Sequence, residues 1–302
     1  MTVPIDPART TFRVVHNPHS GHAAKNAQTR AIAAQFFRDR GIPAKFIATQ
    51  SPGHATVLAQ QAVDEGCDVI VAMGGDGTMN EVAQAVNHST AVFGLIPCGS
   101  GNGLGRHLGL HGSLQRTLES LVTGRIRMID TGRANQRPFF NVMGVGFDAD
   151  LSEQFNRLQS RGFWPYFRTG INLWRRYRPA TYTIRFGDQT ATLSALMIAV
   201  ANSDQYGYNC FISPGAKVDD GQLNLTVVKP VNLFGFATVA YRLRRGSAAK
   251  SPYLTMFCHD RFTIERTNAG SMHTDGEVHQ TNAQVDVAVQ PASLRILVPA
   301  EK

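Results

Sequence analysis

Acidic residues are scarce in this 302-residue chain: 22 Asp and Glu stand against 30 Lys and Arg, leaving a net charge of +8. Such a balance favours an anionic partner: nucleic acid, an acidic membrane surface or a phosphorylated substrate. No nucleic-acid-binding motif accompanies the charge, so nucleic acid is set aside. Cysteine is sparse as well. The four present (Cys67, Cys98, Cys210, Cys258) have no CxxC spacing, which argues against a disulfide framework or a thiolate zinc site and for a reduced, intracellular setting. Long apolar runs are missing, since Leu193 to Ala201 is strand-sized and far short of a bilayer. Met1 to Thr11 lacks the basic and apolar regions of a signal peptide. The histidines form no HExxH, and His16, His19 and His22 straddle a turn, so a zinc site is not expected. No Gly-x-Ser-x-Gly supports a serine hydrolase.

What is present reads as a folded globular chain, 43% hydrophobic and 17% charged, and long enough that two domains are expected. The stretch Met73-Gly74-Gly75-Asp76-Gly77-Thr78-Met79-Asn80-Glu81 follows the β-branched apolar run Asp68 to Ala72 and opens a helical pattern. Glycines at a strand-to-helix turn let backbone N–H groups approach an anion, and the helix N-terminus adds partial positive charge. A plain capped turn is the alternative. Two more such turns lie in the same half: Asn17-Pro18-His19-Ser20-Gly21 after the strand 12–16, and Pro97-Cys98-Gly99-Ser100-Gly101-Asn102-Gly103 after the strand 92–96. Strands at 44–48 and 68–72 and helices from about 23, at 52–65, at 78–87 and at 113–123 complete an alternation that implies a parallel sheet covered on both faces. Ligands bind such sheets at the carboxyl ends of the strands, where all three turns fall. From about residue 125 strands dominate, at 127–133, 139–145, 181–186, 192–200, 222–228 and in short pieces from 253 to 298. The expectation is a Rossmann-like, three-layer α/β domain at 1–128. An antiparallel β-sandwich with a helical insert between Ala149 and Arg178 follows at 129–302, its last strand free to return to the first domain.

Taken in order, these residues resemble the diacylglycerol kinase catalytic-domain family, which includes soluble bacterial lipid kinases and sphingosine and ceramide kinases, with NAD kinases as distant relatives. The resemblance rests on Asn17-Pro18-x-Ser20-Gly21, Gly74-Gly75-Asp76-Gly77-Thr78-x-Asn80-Glu81 and Pro97-x-Gly99-Ser100-Gly101-Asn102. It continues in Gly144-x-Gly146-Phe147-Asp148-Ala149, Ala201-Asn202, Pro214-x-Ala216-x-x-Asp219-Asp220-Gly221 and Thr274-Asp275-Gly276-Glu277. It implies transfer of the γ-phosphoryl of ATP, with Mg²⁺, to a lipid hydroxyl. The turn residues named above would hold nucleotide. Asp275 would be the general base, with Glu277 near metal or nucleotide and Asp76 organising Mg²⁺. In the sphingosine-kinase branch the acid matching Asp76 carries the base role, so that choice stays open. A hairpin turn is the plain alternative for Asp275-Gly276. Asp220 would hold a structural Mg²⁺, and Asp148 and Asp150 would face the lipid headgroup. Gly103 stands where bacterial members usually carry an Asp, and Ser-Gly-Asn leans toward the sphingosine and ceramide branch. A soluble NAD-kinase-like enzyme and a non-catalytic lipid- or nucleotide-binding module are the alternatives.

Two acid-free stretches bear on membranes. Gln154 to Gly187 holds both tryptophans, Trp164 and Trp174, among Arg157, Arg161, Arg168, Arg175, Arg176 and Arg178, and is read as facing an anionic lipid surface. Gly221 to His259 carries Leu233, Phe234, Phe236 and Tyr241 ahead of Arg242, Arg244, Arg245 and Lys250, and is read as core with a solvated basic face. The expected setting is cytoplasmic with peripheral membrane association, and a homo-oligomer is left open.

Overall fold

A computed structural model gives the fold and describes residues 6–7, 9–21, 23–99, 101–156 and 163–300. Ser100, His22, Arg157 and Arg161 lie outside the described residues, and the side chains of 155–167 are not described. The chain forms two compact units, Met1–Ile129 with Ala292–Lys302, and Asp130–Pro291.

In the first unit, β1 (Phe12–His16), β2 (Ala44–Ala48), β3 (Val69–Gly74) and β4 (Val92–Pro97) alternate with α1 (Ala23–Asp39), α2 (His54–Asp64) and α3 (Asp76–Val86). A short α4 (Gly103–His107) and α5 (Leu114–Thr123) follow, the latter capped by Ser113, whose side chain accepts from Arg116 N. The strands are parallel in the order β2-β1-β3-β4, and β16 (Gln284–Val298) adds its last residues beside β4 through Ile296 opposite Phe93. Every residue of β1 and β3 is buried, as parallel strands covered on both faces require. Alternate residues Phe12, Val14, Val69, Val71 and Met73 pack with Phe36, Phe37, Leu118 and Leu121 of α1 and α5. α2 and α3 bury Leu58, Ala62, Met79, Val82 and Val86. α4 was not apparent from the sequence.

The second unit holds the later part of β5 (Arg125–Ala134), then β6 (Arg137–Phe139), β7 (Val142–Gly146), α6 (Phe147–Asn156), α7 (Phe163–Trp174), β8 (Ala180–Phe186), β9 (Gln189–Ala195) and β10 (Met197–Ala201). Then come β11 (Leu223–Val228), α8 (Leu233–Arg244), β12 (Leu254–His259), β13 (Arg261–Arg266), β14 (Gly270–Thr274) and β15 (Glu277–Thr281). One sheet runs β12-β11-β10-β7-β14-β15, antiparallel throughout. It faces strands of a second antiparallel set, β16-β13-β8-β9, across a core of Tyr182, Ile184, Ile198, Val200, Leu225, Phe262 and Val287. Its other face packs Met197, Ala199 and Ala201 against Phe147, Leu151, Trp174, Phe236 and Val239 of α6, α7 and α8.

The reading of 192–200 as one strand is corrected here. The run breaks at Leu196, with β9 paired to β8 and β10 to β7 and β11, so the chain changes sheets in mid-run. Likewise 139–145 divides into β6 and β7 around Phe140 and Asn141. α8 is a helix where none was expected. Among the described residues, no helix is long and apolar enough to cross a membrane.

Candidate active site

The three glycine turns leave the carboxyl ends of neighbouring strands and meet. Asn17 donates its N–H to Met73 O at 3.1 Å, and Cys98 donates to Gly74 O at 2.7 Å, extending both ladders into the loops. Gly75 N–H donates to Ser20 Oγ at 3.3 Å. A methyl at Gly21 (φ +66°) would lie 2.6 Å from Cys98 O, and one at Gly99 would lie 2.7 Å from Gly75 Cα. No side chain fits at either point, so glycine is what allows the loops to touch. Asn26, on α1, donates Nδ2 to Asn17 O and Ser20 O, each at 2.8 Å, and fixes the first turn from beneath.

Asp76 ties the second turn to the third. Its Oδ2 accepts Asn102 N–H at 2.9 Å and its Oδ1 accepts Gly103 N–H at 3.1 Å. Asn102 (φ 50°) sits in left-handed backbone and donates Nδ2 to Gly99 O at 2.7 Å, while Arg106 Nε donates to Gly101 O at 2.8 Å. Burial raises the Asp76 carboxyl above its ordinary range, opposed by the amides and by the Arg106 charge. Gly77 is exposed with open space where a side chain would be. Thr78 is buried against Gly74, whose missing Cβ it would otherwise strike. Asn80 is buried, and its Oδ1 has no hydrogen-bond partner among the described residues. The Cys98 thiol is pushed up to about 11 by burial, so it stays protonated near neutral pH.

Glu81, read as nucleotide-binding, is placed elsewhere. Its Oε2 accepts Ala55 N–H at 3.0 Å and its backbone oxygen accepts Thr56 Oγ1 at 3.0 Å, so it serves the first turn of α2. The acid follows the loop in sequence, but the helix turns it away.

In the second unit Asp275 and Gly276 join β14 to β15 with φ values of 50° and 87°, a two-residue hairpin in left-handed backbone. The hairpin reading is therefore right as geometry, but the carboxylate is aimed with care. Oδ2 accepts Phe140 N–H at 2.8 Å, and Oδ1 accepts Asn141 N–H at 2.9 Å and Val142 N–H at 3.0 Å. Burial nonetheless pushes this carboxyl up to about 6, against the pull of the three amides and of His273. An acid titrating there is part-ionised near neutral pH, as a general base should be. Glu277 opens β15 opposite Thr274 and is exposed.

Asp148, read as facing the headgroup, is enclosed by protein instead. The Tyr206 hydroxyl donates to its Oδ2, and His273 Nε2 lies 2.9 Å away. Gly144 leaves the room, since a Cβ there would come within 2.6 Å of His273 Nε2. His273 in turn accepts Gly276 N–H on Nδ1 at 3.3 Å, so this buried cluster underlies the Asp275 hairpin. Asp150 is half-buried at the start of α6, and burial, then Glu153, raises its carboxyl against the field of Arg266. Asp220 is exposed and its Oδ1 accepts Gln222 N–H at 3.1 Å, while Asp130 holds Gly221 N–H at 2.7 Å. Among the described residues no group of three His, Cys, Asp or Glu could hold a metal ion by itself. Mg²⁺ at phosphates usually needs only one or two carboxylates, and Asp76 beside the turns fits that need.

Three parts of the site escaped sequence reasoning: Asn26, His273, and the amides of 140–142. A lone polar residue on the inner face of α1 was the available signal for Asn26. Main-chain amides leave none.

Comparison with known proteins identifies the family. Residues 11–134 match the diacylglycerol kinase catalytic domain, and residues 141–298 match the YegS C-terminal NAD kinase beta sandwich-like domain. The chain is 25% identical over 273 residues to a diacylglycerol kinase of Staphylococcus saprophyticus, covering 89% of each. It is 26% identical over 270 residues to a diacylglycerol kinase of Bacillus subtilis (strain 168), covering 88% of this chain and 89% of that one. A crystal structure of a diacylglycerol kinase from Bacillus anthracis str. Sterne matches the fold with a TM-score of 0.71 at 17% identity, over 95% of this chain and 96% of that one. With its catalytic domain and its β-sandwich both matched in order, the chain belongs to the diacylglycerol kinase family of lipid kinases.

Proposed function

We propose that this kinase transfers the γ-phosphoryl of ATP to a hydroxyl of a membrane lipid, with diacylglycerol the first acceptor to test. The convergence of the three glycine turns carries the reading, because phosphoryl transfer asks mainly for positioning and charge neutralisation. The turns around Gly21, Gly75 and Gly99 hold phosphate oxygens on main-chain N–H groups, with the N-terminus of α3 adding positive potential. The open space over Gly77 leaves the approach clear. Asp76 would be the protein ligand for Mg²⁺, whose charge would offset that of the phosphates.

Asp275 takes the proton of the acceptor hydroxyl. The freed oxygen bonds to the γ-phosphorus, the bond to the β–γ bridging oxygen breaks, and ADP leaves with that electron pair. The three amides fix the base in place. Glu277, exposed two residues on, supports metal or nucleotide. Asp150, rather than the enclosed Asp148, is the acid left to meet a headgroup. The enzyme works from the aqueous side of a membrane that carries its substrate.

Radiolabelled ATP and Mg²⁺ offered with a crude lipid extract, and separately with NAD, test the reading. Label in the organic phase is the expected result. Label only on NAD would replace the proposal with a soluble nucleotide kinase, and label on neither would remove the enzyme reading.

A further inference from the structure

Six large hydrophobic side chains are exposed among the described residues, and three of them lie on α8: Leu233 at 59%, Phe234 at 77% and Tyr241 at 60%. The other three, Ile32, Val57 and Met128, stand singly on α1, α2 and β5. Single exposed hydrophobics are ordinary, whereas a cluster on one helix face calls for a reason.

The helix is anchored by its opposite side. Val239 is buried and Phe236 and Leu243 pack into the core over the outer face of the β10 sheet, at the i, i+3, i+7 spacing of one face. Phe236 also meets Trp174 of α7 at 5.4 Å between ring centroids. Asn232 caps the start by accepting Gly235 N–H at 2.8 Å. With the inner stripe fixed, Phe234, Ala237 and Tyr241 form the outer one, and Arg245 continues it. Arg244, exposed beside it, donates Nη1 to Tyr208 O at 3.2 Å, and Lys250 is exposed just beyond. Apolar residues therefore occupy the first turns and cations the last.

Charge says what covers this face. From Gly221 to His259 the chain has Lys229, Arg242, Arg244, Arg245 and Lys250 and no acid. A second copy of the same face would bring like charges together with no counter-charge of its own. An anionic lipid leaflet supplies both requirements at once, acyl chains for Leu233, Phe234 and Tyr241 and phosphates for the guanidinium and ammonium groups.

We propose that the outer face of α8 is a docking surface for an anionic lipid leaflet. It deepens the lipid-kinase reading by naming the surface through which the enzyme reaches its substrate, and it rests on that reading only for its purpose. It gives a lipid-facing role to the second acid-free stretch, which the sequence reads as core with a solvated basic face. In the first stretch the aromatics at 155–167 lie outside the described side chains; beyond them Trp174 and Tyr177 pack on the core while Arg168, Arg175, Arg176 and Arg178 are exposed.

The test is flotation of the full chain, without ATP, on phosphatidylcholine vesicles with or without about 30 mol% phosphatidylglycerol. The variants are Phe234→Ser with Tyr241→Ser, and Arg245→Gln with Lys250→Gln, all at exposed positions where the fold is insensitive. Wild type is expected to bind only the anionic vesicles, with affinity falling as salt rises. The first variant should lose about tenfold or more of that affinity, and the second several-fold together with much of the salt dependence. Three results would each overturn the proposal: wild type that ignores anionic vesicles or binds both kinds alike, variants that float as wild type does, or a wild-type dimer that the first variant converts to monomer. Phosphorylation of a short-chain, water-dispersed diacylglycerol is measured alongside. Its absence, together with no label on a crude lipid extract while vesicle binding is intact, sinks the kinase reading alone, and its presence with unchanged variant flotation sinks the surface alone.

Discussion

Asp76 and Asp275 are built alike and positioned for different work. Each is a half-buried carboxylate in a glycine-containing turn, and each accepts main-chain N–H groups from a neighbouring segment, two for Asp76 and three for Asp275. Asp76, however, begins α3 and feels Arg106, so burial, which raises its carboxyl as it raises that of Asp275, is opposed there by helix dipole and cation as well as by amides. Asp275 sits on a hairpin with no helix behind it, and its carboxyl rises to about 6. The first arrangement places a carboxylate beside the turns that would hold phosphates and metal. The second suits a group that must gain and lose a proton. Both carboxyls are raised by burial, so the choice of base between Asp76 and Asp275 turns on the kinetics of their separate losses, and Gly103 leans to the branch that uses the acid matching Asp76.

The sharpest way to break this comparison is to exchange the two losses. Asp275→Asn should cut kcat by about a thousandfold, the usual range for a general base, with KM for ATP little changed. Asp76→Asn should act mainly on ATP and Mg²⁺ affinity. Steady-state kinetics that showed the reverse pattern would move the base to Asp76. Next in size, Gly99→Ala should raise KM for ATP about tenfold or more and lower stability by about 1–3 kcal/mol, because a methyl would meet Gly75 Cα. Thermal melts with ATP titration read both effects. In the pH profile, kcat/KM should fall as pH drops below about 6, where Asp275 takes a proton.

Stability runs the other way for this group. Its folded-state pKa is raised from 3.8, so the fold binds the proton more tightly than the unfolded chain and loses stability as pH rises from 3.8 to about 6. Asp275→Asn should flatten that slope in denaturant titrations. The smallest effect is the most selective. Gly77→Ala should stabilise the free enzyme by about 0.5–1 kcal/mol, since alanine suits a helix better than glycine. It should nevertheless weaken ATP binding if phosphates occupy the open space over that position. A variant with both properties unchanged would move the phosphates elsewhere.

The same contrast explains what could be read from residues alone. The turns were legible because close approach and left-handed backbone leave glycine or asparagine as the workable choices, as at Gly21, Gly99 and Asn102. Both sheets were legible as a change from strand–helix alternation to strands. The sheet change at Leu196 was not, since β10 is buried on both faces and shows no alternation that would mark its start. Asp275 was singled out by the family resemblance, since Asp-Gly alone reads as a hairpin turn, and what raises and fixes it is burial and main-chain amides, neither of which any side chain announces. Glu81 misled because an acid next to a phosphate turn looks alike whether it faces the turn or the next helix. α8 was hidden by a pattern apolar on both faces, which reads as core until one face proves to be bare.

The path of β16 has a consequence for how the protein is made. Residues of its far end complete the parallel sheet beside β4, with Ser293 O accepting His88 N–H at 2.8 Å and Arg295 donating to Thr90 O at 3.0 Å. During synthesis, the edge of β4 therefore waits for about two hundred further residues before its partner leaves the ribosome. Until then one edge of an apolar strand stands unpaired, open to pairing with another nascent chain. Chains stopped short of Ala292 should accordingly collect in insoluble material, and the first unit should resist expression as a simple N-terminal fragment.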